Sequence, residues 1–300
     1  MTAHAPYLSM ADGSRASFGA DEYLFIEVDE AMSLEAALHV QAIVAGIAEL
    51  DVPGIVDIAP ANTSYMIRLD PDISHPRNVL AAIGDVHQLM AGSESLIPTQ
   101  IVEVPVYYND PWTSDVCRRF RDGHQSPAES DIEFVARING FGSVSDLIEA
   151  HTRTPFIVTF PCFKPGNAES YQLTERSQQI EAPKYLRPRT ETPSRAVAHG
   201  GAFTVIYPVN GVGGYQLLGR AAVPVVDLHQ RSRQFQSSPV LTPISTLIQF
   251  RSIDRAEYDE IRRQVDADCY VFNRHSVEFS LTEFTAAPDS YARSLKSLVS

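Results

Sequence analysis

The sequence predicts an α+β protein: a ferredoxin-like sandwich over residues 21–108, then a β-barrel domain over residues 153–300. Three observations predict it. The first segment reads strand, helix, strand, strand, helix, strand, which is the order of a split βαβ unit. The last segment breaks into short β-rich runs punctuated by Gly and Pro. Between them, residues 109–152 carry helix-starting signals and read as a helical linker.

Residues 1–20 are small and polar and predict a flexible arm. Tyr23 to Val28 is an apolar strand, and Ser33 caps a helix whose stripe is Ala37, Val40, Val44 and Ile47. Gly54 to Ile58 and Tyr65 to Leu69 predict two short strands. A second helix starts at Pro76 after Ser74 and turns Val79, Leu80, Ile83, Val86 and Met90 to one side. Ile101 to Val106 is the expected fourth strand of the sandwich. In the linker, Ser130 with Glu133 and Ser143 with Asp146 mark two helix starts. The barrel strands are expected at Phe156 to Phe160, Ala202 to Tyr207, Tyr215 to Leu218, Val223 to Val226 and Leu247 to Arg251. A last helix spans Arg255 to about Val265, with an edge strand and tail over Tyr270 to Phe284.

With 44% hydrophobic and 20% charged residues in 300, the composition is that of a globular chain large enough to need no staples. Neither a membrane-length apolar run nor a secretion signal is legible, so a cytoplasmic location is expected. Cys117, Cys162 and Cys269 lie far apart and form no metal-ligand pair. The nine histidines show no zinc pattern, so no metal is expected. A formal charge of -13 argues against nucleic acid and anionic membranes as partners.

Against that acidic background, residues 184–220 stand out. Lys184, Arg187, Arg189, Arg195 and Arg220 face the single carboxylate of Glu191, and six of the 16 glycines, Gly200, Gly201, Gly211, Gly213, Gly214 and Gly219, fall in the same run. Clustered cations with open backbone N–H donors predict an anion site. Solvated arginines and ordinary turn glycines are the plainer alternative. His199, just before the glycine pair, is the best-placed histidine for acid/base work, or else a turn residue that caps a carbonyl. Cys162 is a nucleophile beside His151 or His199, or an idle thiol. The run holds no dinucleotide fingerprint, because Gln216 stands where the third glycine belongs, and the chain has neither a phosphate loop nor a nucleophile elbow.

Six blocks, YLFIE (23–27), PGIVD (53–57), DIEFVARING (131–140), KYLRPRTETP (184–193), GGAFTVIY (200–207) and GGYQLLGR (213–220), resemble the family of allophanate hydrolase subunit 1, the B subunit of 5-oxoprolinase and the Kip-type kinase inhibitor. Within that family, DIEFVARING and VEFSL (277–281) are most like one half of the carboxyltransferase domain of urea carboxylase. The resemblance spans residues 21–284. It implies a ferredoxin-like domain, a cyclophilin-like barrel and a companion subunit that completes the site. It also implies a small amide, urea or lactam substrate. In the carboxyltransferase branch the cofactor is carboxybiotin on a partner subunit, with biotin carboxylase and biotin carrier subunits as further partners. In the 5-oxoprolinase branch the complex uses ATP. Neither cofactor is expected to be bound permanently.

On that basis Arg187 and Arg189 are expected to fork onto a carboxylate, Lys184 to act as a point charge, and the turns at Gly200, Gly201, Gly213 and Gly214 to offer N–H groups. Tyr215 and Gln216 orient the amide, with Arg220 and His199 completing the set. Two departures stand out. The family loop of the type GFxPGFPY is TFPCFKPGNA (159–168) here, which counts against oxoproline and urea alike as the substrate. His199 occupies the place of a glycine. Three functions follow: a carboxyltransferase half, an ATP-dependent lactam hydrolase subunit, or a non-catalytic regulator that binds a kinase.

Overall fold

The computed structural model describes residues 7–90 and 96–299, and the chain divides at residue 95 into two compact units. Among the described residues no helix is long and apolar enough to cross a membrane.

The first unit contains β1 (Leu8–Ser9), β2 (Arg15–Gly19), β3 (Tyr23–Glu27), α1 (Leu34–Glu49), β4 (Ile55–Pro60), β5 (Ser64–Leu69) and α2 (Pro76–Met90). Its antiparallel sheet has the order β1-β2-β3-β5-β4. Alternation places Leu24, Ile26, Tyr65 and Ile67 in the core and leaves Phe25 and Met66 exposed. Val40, Ile43 and Ile47 of α1 and Val79, Ile83 and Val86 of α2 fill the same core. A Cβ on Gly46 would lie 2.9 Å from Val86 Cγ1, so this glycine lets the two helices approach.

Two expectations are corrected here. Residues 15–19 are not a loose arm: they pair with β3 in register from Arg15↔Glu27 to Gly19↔Tyr23, and Ala16 is fully buried. The strand expected to complete the sandwich, Ile101 to Val106, lies in the second unit, and β2 holds the place beside β3. The five-residue run RASFG alternates too briefly to announce a strand; pairing with β3 stabilises it.

The second unit contains β6 (Leu96–Tyr108), α3 (Pro111–Arg119), α4 (Asp131–Ile138), α5 (Val144–Thr152), β7 (Phe156–Pro161), β8 (Ala168–Gln172), β9 (Arg189–Thr192), β10 (Ala196–Gly200), β11 (Phe203–Ile206), β12 (Gly211–Gly213), β13 (Gln216–Ala221), β14 (Leu247–Ser252), α6 (Arg255–Asp266), β15 (Arg274–Ser280), α7 (Leu281–Ala286) and α8 (Pro288–Lys296). The strands β13-β10-β11-β8-β7-β14-β6 form a ring that closes where β6 pairs with β13, giving a seven-stranded barrel. β15 adds to the outer length of β6, and β9 with β12 makes a separate two-stranded ribbon. β6 serves three neighbours because it is 13 residues long: β15 along its first half, β14 in parallel through the middle, and β13 at its end.

Closure depends on one residue. A Cβ on Gly219 would lie 2.6 Å from Tyr107 O and 2.7 Å from Tyr108 Cα, so only glycine brings β13 onto β6. Val104, Val106, Phe156, Val158, Val197, Leu218 and Phe250 are in the barrel core. The helices of residues 109–152 are not a detached linker, because Ile132, Val135, Leu147 and Ala150 of α4 and α5 enter that core. Asp110 caps α3 through Trp112 N and Thr113 N, and Ser130 with Glu133 makes a capping box on α4. Val223 and Val225 are buried, but the segment Val223 to Val226 joins no ladder among the described residues, only an isolated bridge from Val226 to Val240.

Candidate functional site

The barrel interior holds a polar chain. Tyr108 O–H donates to His151 Nδ1 (2.8 Å), His151 Nε2–H to Thr204 Oγ1 (2.9 Å), Thr204 O–H to His199 Nδ1 (2.9 Å), and His199 Nε2–H to Ile180 O (2.7 Å). The terminal carbonyl can only accept, so it sets the direction of every bond and both tautomers. Each imidazole is thereby neutral and satisfied. Burial lowers His199 to about 4 and pushes His151 well below its ordinary value. His199, expected to perform acid/base chemistry, is enclosed and has both nitrogens engaged within the barrel. His151 is equally committed. Burial, with the charge of Glu169, pushes the Cys162 thiol up to about 12, a shift that disfavours the thiolate.

A pH dependence follows. The folded His199 titrates below its unfolded value, so its contribution is complete above about pH 6.5 and is lost as pH falls towards 4. Each such histidine adds a slope of up to roughly 1.4 kcal/mol per pH unit. Urea unfolding at pH 7 and pH 5 is expected to show a clear drop in stability at the lower pH, and equal midpoints would contradict this account.

A second enclosed cluster surrounds Asp131, at the start of α4. Its carboxylate accepts from Arg121 Nη1 (2.6 Å), Tyr185 O–H (2.5 Å) and Leu217 N (2.8 Å), and Arg189 Nη1 stands 3.8 Å away. Arg189 is 0% exposed, donates to Tyr215 O (2.8 Å) and lies over the Tyr185 ring at 4.5 Å. Gln216 is bound by His124 Nε2 (2.8 Å) and donates to Pro183 O (2.7 Å). Arg189 and Gln216, expected to meet substrate, are both enclosed and tie the segment around Tyr185 to β13. Asp131 as the counter-charge of Arg189 escaped the sequence reading, because a first-turn aspartate looks like any helix-start residue.

Of the glycine turns, the one at Gly201 spends its N–H within the fold. Gly201 adopts φ +60°, and its N–H donates to Ala182 O (2.7 Å) while its carbonyl accepts from Ala182 N (2.9 Å). A Cβ on Gly200 would lie 2.6 Å from the Tyr215 ring, so this glycine seats the tyrosine. Gly213 packs against Thr192 and the Tyr207 hydroxyl, and Gly214 O accepts from Tyr185 N (2.7 Å).

What remains accessible lies along residues 176–187 at one end of the barrel. Lys184 is exposed, with Nζ 5.0 Å from the Tyr215 ring centroid, and the Tyr215 hydroxyl donates to Glu169. Arg187 is exposed and donates to Asp122 O (2.8 Å). Beside them a groove of about 590 Å³ is lined by Asn139, Arg176, Gln179, Glu181, Pro183 and Gly201, among others. Asn139 holds the groove wall, accepting from Glu181 N (2.9 Å) and donating to Glu181 O (2.8 Å). Gln179 Oε1 is buried with no partner among the described residues, and Arg176 is exposed and meets no carboxylate among them. Neither was singled out in the sequence, since an Arg and a Gln in a polar loop carry no motif. Arg220 stands apart. It lies at the other end of β13 from Tyr215, roughly 13 Å from Gln216 at strand spacing. The single convergent cradle expected from residues 184–220 is thus resolved into an enclosed set, a rim and a distant arginine.

The model of the family described as carboxyltransferase domain, subdomain C and D, matches residues 15–235, which contain the groove, the rim and the Asp131 cluster. The chain belongs to this family. Within it, the B subunit of 5-oxoprolinase from Bacillus subtilis is 26% identical over 255 residues, covering 81% of this chain and 95% of that one. Urea amidolyase of Saccharomyces cerevisiae is 22% identical over 277 residues, which are 88% of this chain but 14% of that one. The crystal structure of Kluyveromyces lactis urea carboxylase matches with a TM-score of 0.82 at 19% identity, covering 98% of this chain and 27% of that one, a likeness of fold. The carboxyltransferase-family chain is thus similar to a separate subunit of nearly its own span and to a small part of two much longer proteins.

Proposed function

We propose that the chain is one subunit of a heteromeric enzyme of the carboxyltransferase or amide-hydrolase type, whose groove and rim hold a small amide, urea or lactam beside an anionic carboxyl group. We read the barrel as the cyclophilin-like one and the first unit as a ferredoxin-like variant in which β2 takes the place beside β3. One observation carries the function: along a single segment, Arg176 and Lys184 are exposed and meet no carboxylate among the described residues. A carboxylate supplies the missing counter-charge, and a groove lined by Asn139, Gln179 and Glu181 suits a polar amide beside it. Leu186 on the rim is exposed, as are Phe163 in the loop after β7 and Val212 on β12, and Lys164 Nζ ties the Phe163 loop to Asn210 O (3.3 Å). A companion subunit that covers Leu186 would exclude water from the rim and groove.

Carboxybiotin on a partner subunit supplies an activated carboxyl group when bound. Lys184 and Arg187, exposed and cationic, are the residues that would hold its carboxylate. The lactam-hydrolysing reading, in which the complex uses ATP, is favoured by the near-complete span of the Bacillus subtilis relative. Copurification from the native host separates them: a biotinylated carrier with biotin carboxylase indicates carboxyl transfer, and a lactam-hydrolase partner indicates the alternative. In the assembled complex, Arg176→Ala and Lys184→Ala are each expected to lower kcat/KM by about tenfold or more with the thermal midpoint unchanged. Wild-type turnover in both variants would remove the groove from the reaction.

A further inference from the structure

At the end of the barrel away from the groove, four guanidinium groups gather round Trp112. Arg195 Nη1 donates to Ala221 O (3.0 Å), Ala222 O (3.5 Å) and Tyr258 Oη (3.0 Å). Arg262 Nη1 donates to the same Ala222 O (3.0 Å), which places the two cations side by side. Arg220 Nε donates to Ser194 O (3.2 Å), and the Arg220 and Arg255 guanidinium carbons lie 5.3 and 4.7 Å from the Trp112 ring centroid. The indole and the Tyr258 ring are 5.2 Å apart, so the aromatic pair forms the floor between the cations.

The charges do not balance. Arg255 is paired with Asp259 (2.6 Å) and Arg262 with Asp266 (2.5 Å). Arg195 and Arg220 meet only neutral oxygens among the described residues. Asp110, whose charge Arg220 feels, spends its oxygens on Trp112 N, Thr113 N and Thr113 Oγ1. Burial, together with the like charges of Arg262 and Arg220, holds Arg195 below the usual guanidinium range. Two adjacent cations, partly desolvated and without a counter-ion, are costly unless an anion joins them. Arg195 Nη2 and both Nη atoms of Arg220 have no protein acceptor among the described residues, and none of them is sealed from solvent. A carboxylate brings one charge and two oxygens, enough for one fork. A phosphoryl group brings nearly two charges and three oxygens, which matches both guanidinium groups.

We propose that Arg195 and Arg220 form a phosphoryl-binding site, with Arg255 and Arg262 at its rim and Trp112 beneath it. The site is independent of the groove, lying at the opposite ends of β10 and β13. Trp112 is the chain's single tryptophan, so its emission reports on this site alone. The full chain is titrated with inorganic phosphate and, separately, with glycerol 3-phosphate, at constant ionic strength maintained with sodium chloride. A saturable change in Trp112 emission with either supports the site, and the tighter of the two identifies whether the free ion or a phosphate ester is its source. Arg220→Gln is expected to weaken binding by about tenfold. Arg255→Gln, more exposed and safer for folding, is expected to weaken it by roughly threefold. Arg274→Gln, on β15, is expected to bind as the wild type does. A response that sodium chloride reproduces, or equal affinities in the Arg220 and Arg255 variants and the wild type, would overturn the proposal.

Discussion

Asp131→Ala is expected to destabilise the chain by about 3–5 kcal/mol, the largest single effect at any polar position. Three donors, Arg121 Nη1, Tyr185 O–H and Leu217 N, lose their acceptor together, and the fully buried Arg189 loses its only nearby carboxylate among the described residues. The cost comes less from the bonds removed than from the guanidinium left unpaired in a site that water does not reach. Asp131→Asn is expected to lose less, because its carbonyl oxygen still accepts from Leu217 N while the charge is gone. Urea denaturation of both variants checks this ordering. A loss below about 1 kcal/mol in Asp131→Ala would mean that Arg189 is stabilised by its carbonyl and ring contacts alone.

Gly219→Ala is expected to cost about 3 kcal/mol or more, a fall of roughly 6–12 °C in the thermal midpoint of a unit this size. The added carbon meets Tyr107 O and Tyr108 Cα, both backbone atoms of β6, and neither can rotate away as a side-chain tip would. The strands must separate, which weakens the Gly219↔Tyr108 and Arg220↔Tyr107 pairing and exposes the core beside Leu218 and Val106. Gly84→Ala is the control. Its Cβ would meet nothing within 4 Å on the helix α2, so the same substitution there is expected to be neutral or to stabilise by up to ~1 kcal/mol. A Gly219→Ala midpoint equal to that of Gly84→Ala would show that the barrel closes without this glycine.

The helices were largely legible because their signals are local. Ser33, Ser130 and Ser143 accept from the backbone amides that their positions predict, and the apolar stripes of α1 and α2 face the core. The allegiance of strands was not legible. Ile101 to Val106 (IVEVPV) is a valine-rich run that any sheet would accept, and it joins the barrel because β14, β15 and β13 all pair with it. The candidate site was legible as a segment and not as a geometry. Residues 184–220 do hold Lys184, Arg187 and Tyr215 at the rim, yet Arg189, three residues from the exposed Leu186, is enclosed. His199 and Gln216 point inward from paired strands, opposite each other in the register of β10 and β13. A one-residue shift in register reverses which side chain faces the core, and sequence spacing does not carry that register.

From the order of residues alone came the family blocks, the helix starts, the cationic and glycine-rich run, and the absence of familiar nucleotide and nucleophile motifs. These depend on identity and short spacing, which a linear chain records directly. Tertiary structure alone decided that the cations part company: Arg189 joins Asp131, Lys184 stays at the rim, and Arg195 with Arg220 gathers round Trp112. The reason is that burial, counter-charge and strand closure are long-range properties. Asp131 and Arg189, or Tyr108 and Gly219, become neighbours only when the ring of strands shuts.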